Sequence, residues 1–431
     1  MAANGRRVAI IDGVRTPFAR AFTVYKKTHP AELGRMAVNE LLDRTGIDLE
    51  EIDGVVFGNT IAPIAGPNVA REIQFRTGIP RSAAAHTVQM YCASGARAIV
   101  DGAHEILRGD ADVIVAGGVD SVSGIRALFS EQLTDALNKA SKAKSLGERV
   151  RAFKNIRPKH LAPQVPGIDE PTTGLSMGQS ADKLAKELGI TRHDQDEWAM
   201  TSHSRAAKAT KEGRLAKEIV PALVAPKFDA PVEGDTDIRS DSTMEKLGSL
   251  KPVFDRRYGT VTAGNASPLT DGGAAVLLME AEKAKALGMK IKGYFRAYGQ
   301  AGLDLAKEPL LMGPAYATPI ALDRAGMKLS DIDYIEMHEA FAASVLAAVR
   351  SFESAKFATE KLGKASAIGK VDLEAMNANG GSIAIGHPFG ATGARLVMTL
   401  LNEMERRKVS TGMATMCAAG GLGLSLIVER E

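Results

Sequence analysis

The stretch Val88-Gln-Met-Tyr-Cys92-Ala-Ser-Gly-Ala-Arg97-Ala98 carries one of the two cysteines of the chain and leads directly into a helical pattern. Apolar residues recur at helical spacing from Ala98 to Leu107, which predicts that Cys92 stands at the start of a helix. Free N–H groups and the positive end of the helix dipole at such a position lower the pKa of a thiol. A free cysteine is more often a small buried hydrophobe, so this stretch alone leaves catalysis and packing both open.

The composition is that of a soluble α/β protein with more than one domain. The chain has 431 residues, of which 45% are apolar and 24% charged, and its net charge of +3 is too small to indicate nucleic-acid binding. Two cysteines without a CxxC spacing predict neither a disulfide framework nor a metal site. We find no signal-peptide pattern in the first ten residues and no apolar run of about 18 residues. We therefore expect a cytoplasmic protein, although a mature organellar form would have the same features.

Short apolar strands alternate with amphipathic helices through the first 120 residues. The predicted strands are Val8–Ile11, Gly54–Phe57, His86–Gln89 and Asp112–Gly118, and the predicted helices are 30–45, 69–78 and the one that follows Cys92. Such alternation is typical of a mostly parallel sheet that is covered by helices on both faces.

An internal repeat indicates two related halves. Leu49–Gly58 matches Leu329–His338, and each segment follows a similar helix. Ser94-Gly-Ala-Arg97 and Thr392-Gly-Ala-Arg395 each open a helix that leads to a strand. We therefore expect two α/β halves around a pseudo-twofold axis, with these two alanine-rich helices packed closely together.

The segment between the halves breaks this pattern. It contains three predicted helices, Gly124–Lys144, Leu175–Gly189 and His193–Gly213. The stretch Lys139–Lys159, called the basic stretch below, has many cations but only one acid, Glu148. Its cations are Lys139, Lys142, Lys144, Arg149, Arg151, Lys154, Arg157 and Lys159. A solvated surface and a contact with phosphate, an acidic membrane or a partner both fit this charge.

Three further blocks carry residues of chemical interest. They are Glu336-Met-His338-Glu-Ala-Phe341-Ala342, Asn377–Gly393 with His387 in a glycine-rich run, and Cys417-Ala-Ala-Gly-Gly-Leu-Gly423. A lone glycine-rich loop or a lone histidine before a proline is weak evidence. Cys92 and His387, however, occupy nearly equivalent places in the two repeats, beside helix N-termini that the pseudo-twofold brings together. The pair is therefore stronger evidence of a site than either residue alone.

These blocks closely resemble the thiolase family. The likeness rests on Tyr91–Gly95, His338–Phe341, Gly386-His387-Pro388-Phe-Gly-Ala-Thr-Gly393 and Cys417–Gly423, and further on Gly174–Gly178 and Ala263–Gly273. The resemblance spans nearly the whole chain. It implies a five-layered αβαβα thiolase fold of two duplicated halves, with an inserted loop domain over a coenzyme A site. We expect the N-terminal half at 6–120 plus 250–290, the loop domain at 121–249 and the C-terminal half at 291–431.

The resemblance also implies a role for each site residue. Cys92 attacks the ketone carbon of a 3-ketoacyl-CoA, His387 takes the thiol proton, and Cys417 protonates the departing acetyl-CoA enolate and later deprotonates a second coenzyme A. One oxyanion hole is formed by His387 and a water held by His338, where most thiolases have asparagine. The second is formed by the backbone N–H groups of Cys92 and Ala419, the latter in place of a common glycine. Met177 and Ser267 match positions that line the acyl and pantetheine region.

The resemblance implies a degradative 3-ketoacyl-CoA thiolase of fatty-acid β-oxidation, which is an acyltransferase. A biosynthetic acetoacetyl-CoA thiolase would use the same residues in reverse. A ketoacyl synthase-like condensing enzyme normally has two histidines and no second cysteine, and a non-catalytic lipid-binding member would not need the intact site. We expect coenzyme A as co-substrate, with no cofactor and no metal. The resemblance to the trifunctional-enzyme β-subunit adds a homodimer or tetramer, a hydratase/dehydrogenase α-subunit and peripheral membrane contact as expected partners.

Overall fold

The computed structural model describes residues 5–163, 169–225, 228 and 230–431. Residues 1–4, and residues 164–168, 226, 227 and 229 of the expected loop domain, lie outside the described residues. The strands are β1 (Val8–Arg15), β2 (Ala19–Arg20), β3 (Gly54–Gly58), β4 (Ala84–Val88), β5 (Val113–Ser121), β6 (Asp169–Glu170), β7 (Leu175–Ser176), β8 (Thr270–Glu280), β9 (Gly293–Gly302), β10 (Tyr334–Met337), β11 (Thr411–Ala418) and β12 (Leu422–Glu429).

The helices surround these strands. They are α1 (Pro30–Thr45), α2 (Val69–Arg76), α3 (Ser94–Arg108), α4 (Glu131–Lys142), α5 (Leu146–Ala152), α6 (Met177–Glu187), α7 (Arg192–Lys211), α8 (Met244–Gly248), α9 (Ala281–Ala286), α10 (Gly313–Ala325), α11 (Ala342–Glu353), α12 (Ala355–Leu362), α13 (Ser382–Ile385) and α14 (Phe389–Arg407). No described helix has both the length and the apolar character needed to cross a membrane.

The large sheet consists of two halves that meet at one short pairing. The N-terminal half has the strand order β4-β3-β5-β8-β1, and the C-terminal half has the order β10-β11-β12-β9. Strands β1 and β9 join the halves where Ala9 lies opposite Tyr294 and Ile10 opposite Gly293. The β10–β11 pair is the counterpart of the β3–β5 pair, as the repeat predicts.

The expectation of a mostly parallel sheet is wrong. Among the described strands of the large sheet, only the β3–β4, β3–β5 and β10–β11 pairs are parallel, and the other pairs are antiparallel. The connections between the strands explain why these pairs are antiparallel. Strand β8 enters from the inserted segment, and β12 follows β11 through a turn at Gly420 and Gly421, both with positive φ. Neither connection is a crossover helix, which a parallel neighbour would need.

Helices α3 and α14 pack against each other between the two halves of the sheet, as predicted. Small residues allow this close approach. A Cβ at Gly118 or Gly95 would overlap the carbonyl oxygen of Gly390, and one at Gly393 would overlap the backbone of Ala96. Helices α1 and α2 cover the outer face of the N-terminal half, and α10 and α11 cover that of the C-terminal half. The five-layered αβαβα arrangement of two duplicated halves is therefore confirmed.

The helices of the inserted segment begin at other residues than predicted. Helix α4 begins at Glu131 and not near Gly124, because the Ser130 hydroxyl caps it by accepting the N–H of Leu133 over 3.2 Å. Helix α5 is a separate helix. The segment is anchored on the C-terminal half, where Trp198 and Ser202 of α7 both donate to the buried carboxylate of Glu339. The expected domain boundaries stay a prediction.

Candidate active site

Cys92 lies in a strained turn between β4 and α3. Its neighbour Tyr91 has φ of 48°, a conformation that costs a residue with a side chain about 1–3 kcal/mol. The Ser94 hydroxyl holds the turn, accepting the N–H of Met90 over 2.8 Å and donating to the carbonyl of Tyr91 over 2.6 Å. The turn places Cys92 directly before α3, as the sequence predicts.

One buried carboxylate ties this turn to the other half of the molecule. Asp120, at the end of β5, accepts the backbone N–H groups of Thr60, Ile61 and Gly390. Thr60 in turn donates to the carbonyl of Tyr91 over 3.0 Å. Burial raises the pKa of Asp120 to about 6, and the backbone N–H bonds act in the opposite direction. Asp120 therefore fixes the start of α14 relative to the turn that holds Cys92.

His387 reaches Cys92 across the boundary between the two halves. It follows Gly386, whose φ of 109° only glycine adopts readily, and it precedes the first turn of α14. His387 Nε2 lies 3.1 Å from Cys92 Sγ, and its Nδ1 lies 2.7 Å from the hydroxyl of Thr392. The structure therefore brings together the two residues that the repeat places side by side.

The pKa values of this pair favour its neutral form. Burial lowers the pKa of His387 to about 3, and the Arg395 guanidinium acts in the same direction. Burial raises the pKa of Cys92, with smaller contributions from Cys417 and Asp120, whereas the backbone N–H groups of Ala419 and Cys92 lower it. The expected lowering of the thiol pKa is therefore wrong, because desolvation of the sulfur outweighs the helix N-terminus. The resting pair is a thiol and a neutral imidazole.

Cys417 and Ala419 enter the site from the end of β11. Cys417 is buried, and burial raises its pKa to about 12, which keeps it protonated at neutral pH. The β11–β12 turn places the N–H of Ala419 toward the Cys92 sulfur. Glu170 of the inserted segment steadies this turn by accepting the N–H of Gly420 over 2.8 Å.

His338 completes the buried cluster. It follows β10, and its ring lies 4.1 Å from the ring of His387 between centroids. His338 Nδ1 lies 3.0 Å from Ser382 Oγ, whereas the buried Nε2 contacts no hydrogen-bond partner among the described residues. Burial lowers the pKa of His338 well below its ordinary value, and His387 and Arg395 add to this effect. His338 is therefore a neutral imidazole.

Met177 and Ser267 lie near this cluster in different ways. Met177 lines a cavity of about 720 Å³ together with Tyr91, Phe389 and Ala419. Ser267 contacts the loop after His338, where its hydroxyl donates to the carbonyl of Ala340 over 3.0 Å. Ser267 does not line that cavity among the described residues.

The sequence motifs did not reveal the residues that support the site. Asp120 ends an apolar strand without any recognisable motif. Arg395 belongs to the repeated Gly-Ala-Arg pattern, but that pattern indicated only a helix. Ser382 stands in the glycine-rich run five residues before His387. Their partners are distant in sequence, so only the fold shows what they contact.

Cys92, His338 and His387 also form a group whose ligand atoms all lie within 4.8 Å of one another. A thiolate and two imidazoles would suit a zinc ion. The expectation that the protein uses no metal stays a prediction.

Comparison with known proteins matches nearly the full chain to one family. The family model of the thiolase N-terminal domain matches residues 8–282, and that of the thiolase C-terminal domain matches residues 289–430. The chain is 47% identical to a 3-ketoacyl-CoA thiolase of Pseudoalteromonas translucida, covering 99% of this chain and 97% of the relative. It is 46% identical to one of Yersinia pestis, covering 99% and 98%.

Solved structures show the same fold. The acetyl-CoA acetyltransferase of Bacillus anthracis superposes with a TM-score of 0.86 at 32% identity, covering 98% of each chain. Human mitochondrial 3-ketoacyl-CoA thiolase in complex with CoA superposes with a TM-score of 0.84 at 28% identity, covering 99% of this chain and 98% of that one.

The protonation state of Cys92 gives a first test. With Cys417→Ala as background, Cys92 is the one cysteine left in the chain. At neutral pH, the ultraviolet difference spectrum between this protein and its Cys92→Ser variant should show no thiolate absorption. A thiolate band should appear only as the pH rises well above the ordinary thiol pKa of about 8.5. A band already present at neutral pH, and lost only in acid, would show an ion pair and contradict the neutral pair.

Proposed function

Since this chain belongs to the thiolase family, we propose that it is a 3-ketoacyl-CoA thiolase, an acyltransferase that cleaves 3-ketoacyl-CoA with coenzyme A. The contact of 3.1 Å between Cys92 Sγ and His387 Nε2 supports this function most directly. The second thiol, Cys417, favours a thiolase over a condensing enzyme, since the reaction needs a separate acid and base for the acetyl unit.

The first half-reaction transfers the acyl group to Cys92. His387 takes the thiol proton as the sulfur attacks the ketone carbon, and the neutral resting pair requires such a base. The N–H groups of Cys92 and Ala419 stabilise the resulting oxyanion. The bond between the second and third acyl carbons then breaks, and its electron pair goes to the acetyl-CoA enolate. Cys417 donates its proton to the enolate carbon, and acetyl-CoA leaves.

The second half-reaction releases the shortened acyl chain. The Cys417 thiolate takes the proton of an incoming coenzyme A, and the new thiolate attacks the carbonyl carbon of the acyl-Cys92 thioester. The same two N–H groups bind the oxyanion again. The carbon–sulfur bond to Cys92 breaks, and the Cys92 sulfur recovers its proton from the imidazolium of His387. Both cysteines and His387 therefore return to their neutral forms.

Two cavities support the assignment of substrate. The cavity of about 720 Å³ beside Met177 and Phe389 is lined largely by apolar side chains, among them Ile61, Ile125 and Leu128. Its size favours an acyl chain longer than that of acetoacetyl-CoA. A second cavity, lined by Arg20, Arg239, Lys246 and Pro268, has cations that could meet the phosphates of coenzyme A. Asp237 and Asp241 also line it and pair with Arg20 and Lys246. Pro268 borders His387, since its carbonyl accepts the His387 N–H over 3.3 Å.

The edge of the sheet supports a homodimer. Strand β4 pairs with β3 on one side, and no described strand pairs with its other side. Its side chains are largely accessible, and it leads directly to Cys92. An unpaired edge of this kind favours pairing with a second copy across a twofold axis.

Two free thiols in the site favour a reducing compartment, and the proposed location is the cytoplasm, with an organellar matrix as the alternative.

The basic stretch supports an external contact, with an anionic membrane or a hydratase/dehydrogenase subunit as partner. Several apolar residues close to its cations in sequence are solvent-exposed. Phe129, Leu146 and Val150 are 62%, 77% and 66% exposed. Such a combination of cations and exposed apolar side chains is typical of surfaces that bind membranes or partner proteins.

Covalent catalysis gives the main test of the proposed function. Cys92→Ser should lower thiolysis of 3-ketoacyl-CoA by about 10⁴-fold or more, because an alcohol is a far weaker nucleophile. Mass spectrometry of the wild-type protein with 3-ketoacyl-CoA and no free coenzyme A should show an acyl group on Cys92. An acyl group on Cys417, or full turnover by the serine variant, would refute the assignment.

The basic stretch has a separate test. Changing Lys142, Lys144, Arg149 and Arg151 to Glu should abolish salt-sensitive binding to anionic vesicles or to the partner subunit, while turnover of short soluble substrates stays nearly unchanged. A matched control changes four exposed lysines outside the basic stretch to Glu and should bind as the wild type does. They are Lys208, Lys211, Lys217 and Lys370. A raised KM for coenzyme A with unchanged binding would instead assign the basic stretch to the substrate site.

A further inference from the structure

Ser382 lies between Arg395 and His338 and contacts both. Arg395 Nη2 donates to Ser382 Oγ over 2.9 Å, and Ser382 Oγ lies 3.0 Å from His338 Nδ1. All three residues are buried. A guanidinium carries only donors, so the serine oxygen must accept in the first contact. The single proton of the Ser382 hydroxyl is then available for His338.

The second contact indicates which nitrogen of His338 carries a proton. His338 is neutral, so one ring nitrogen donates and the other accepts. Within the part of the chain that the structure describes, His338 Nδ1 is the one acceptor recorded for the Ser382 hydroxyl. Nδ1 therefore accepts this hydrogen bond, and the proton of the ring lies on Nε2.

We propose that Ser382 and Arg395 are positioning residues that fix His338 in the Nε2–H tautomer, so that His338 always presents a hydrogen-bond donor to the reacting thioester oxygen or to a water bound there. The inference rests on the proposed thiolase reaction for its purpose, but not for the tautomer itself. His338 Nε2 is buried and has no partner among the described residues. An unpartnered buried donor destabilises the protein, and a bound oxygen would offset this cost.

The two histidines of the site thus have opposite tautomers. As the base for Cys92, His387 needs the lone pair of Nε2 and carries its proton on Nδ1. The Thr392 hydroxyl then accepts this Nδ1–H over 2.7 Å while it donates to the carbonyl of Pro388 over 3.4 Å. His387 Nε2 then has a free lone pair for the proton of Cys92. The Thr392 hydroxyl therefore leaves His387 Nε2 free to act as a base, and the Ser382 hydroxyl leaves His338 Nε2 as a donor.

Glu336 is the other side-chain partner of Arg395. Its carboxylate lies 3.3 Å from Arg395 Nη1 and accepts the Tyr334 hydroxyl over 2.6 Å. Burial raises the pKa of Glu336 to about 8, and the contacts with Arg395 and Tyr334 act in the opposite direction. The guanidinium thus has a carboxyl partner on one side and donates to Ser382 on the other.

Nitrogen-15 NMR of histidine-labelled full-length protein tests the tautomer directly, without substrate. His338 is identified by the signals that disappear in His338→Asn. Nδ1 of His338 should show the shift of an unprotonated nitrogen, and Nε2 that of a protonated one. The reverse pattern, or an imidazolium at neutral pH, would overturn the proposal. Because this measurement needs no turnover, an inactive protein with the expected tautomer would refute the proposed function and leave the tautomer standing.

A double-mutant cycle tests the purpose of Ser382. An asparagine amide carries its N–H donors permanently, so a protein with His338→Asn has no tautomer to fix. Ser382→Ala should lower kcat by roughly 10- to 100-fold in the wild type, with little change in KM, which is less than the loss of a whole donor. In the His338→Asn background, the same change should lower kcat by no more than about threefold.

A matched control separates positioning from general damage. Ser351 is a buried serine of α11 whose hydroxyl donates to the carbonyl of Ala347 over 2.8 Å. We assign it no role in the reaction. Ser351→Ala should leave kcat unchanged in both backgrounds. If Ser382→Ala lowers kcat equally in both backgrounds, Ser382 does not act through His338 and the proposal fails.

Discussion

The close contact between helices α3 and α14 is the constraint on which the site depends. Each helix comes from a different half of the molecule, and each brings one member of the pair Cys92 and His387 to its N-terminus. The halves can approach this closely only because Gly95, Gly118 and Gly390 have no side chains at the crossing. Asp120 then locks the arrangement through the N–H of Gly390. The active site is thus a product of the duplication, since neither half contains a complete nucleophile and base.

Desolvation is the main electrostatic effect at this crossing. Burial raises the pKa of both cysteines and lowers that of both histidines, so the four reactive groups are neutral before substrate binds. Charge appears only when substrate is attacked, and the nearby donors are then already in place. The permanently charged Arg395 acts on the histidines at a distance, with Glu336 beside it. Neutral groups in a desolvated site can exchange protons with a carbon acid without competition from water.

The sequence predicted the layout of the site better than its electrostatics. The Gly-Ala-Arg repeat placed Cys92 and His387 together, because a duplicated helix start implies a shared crossing point. The lowered thiol pKa was wrong, since a motif indicates a helix N-terminus but not how much water the sulfur loses. The parallel sheet was wrong because the strand pattern does not show that β8 returns from the inserted segment. Ser382 and Arg395 could not be assigned, since they act on His338 across 44 and 57 positions of sequence.

In the proposed reaction, Cys92 acts as the nucleophile and Cys417 as the acid and base for the acetyl unit. Proton exchange tests these separate roles most directly. The Cys417→Ala variant is incubated with acetyl-CoA in deuterated solvent, and both the acylation of Cys92 and the deuterium content of the acetyl group are measured. We expect that Cys92 is still acylated while the α-protons of acetyl-CoA do not exchange. Exchange at the wild-type rate would show that another group moves this proton, and Cys417 would then not be the acid and base for the acetyl unit.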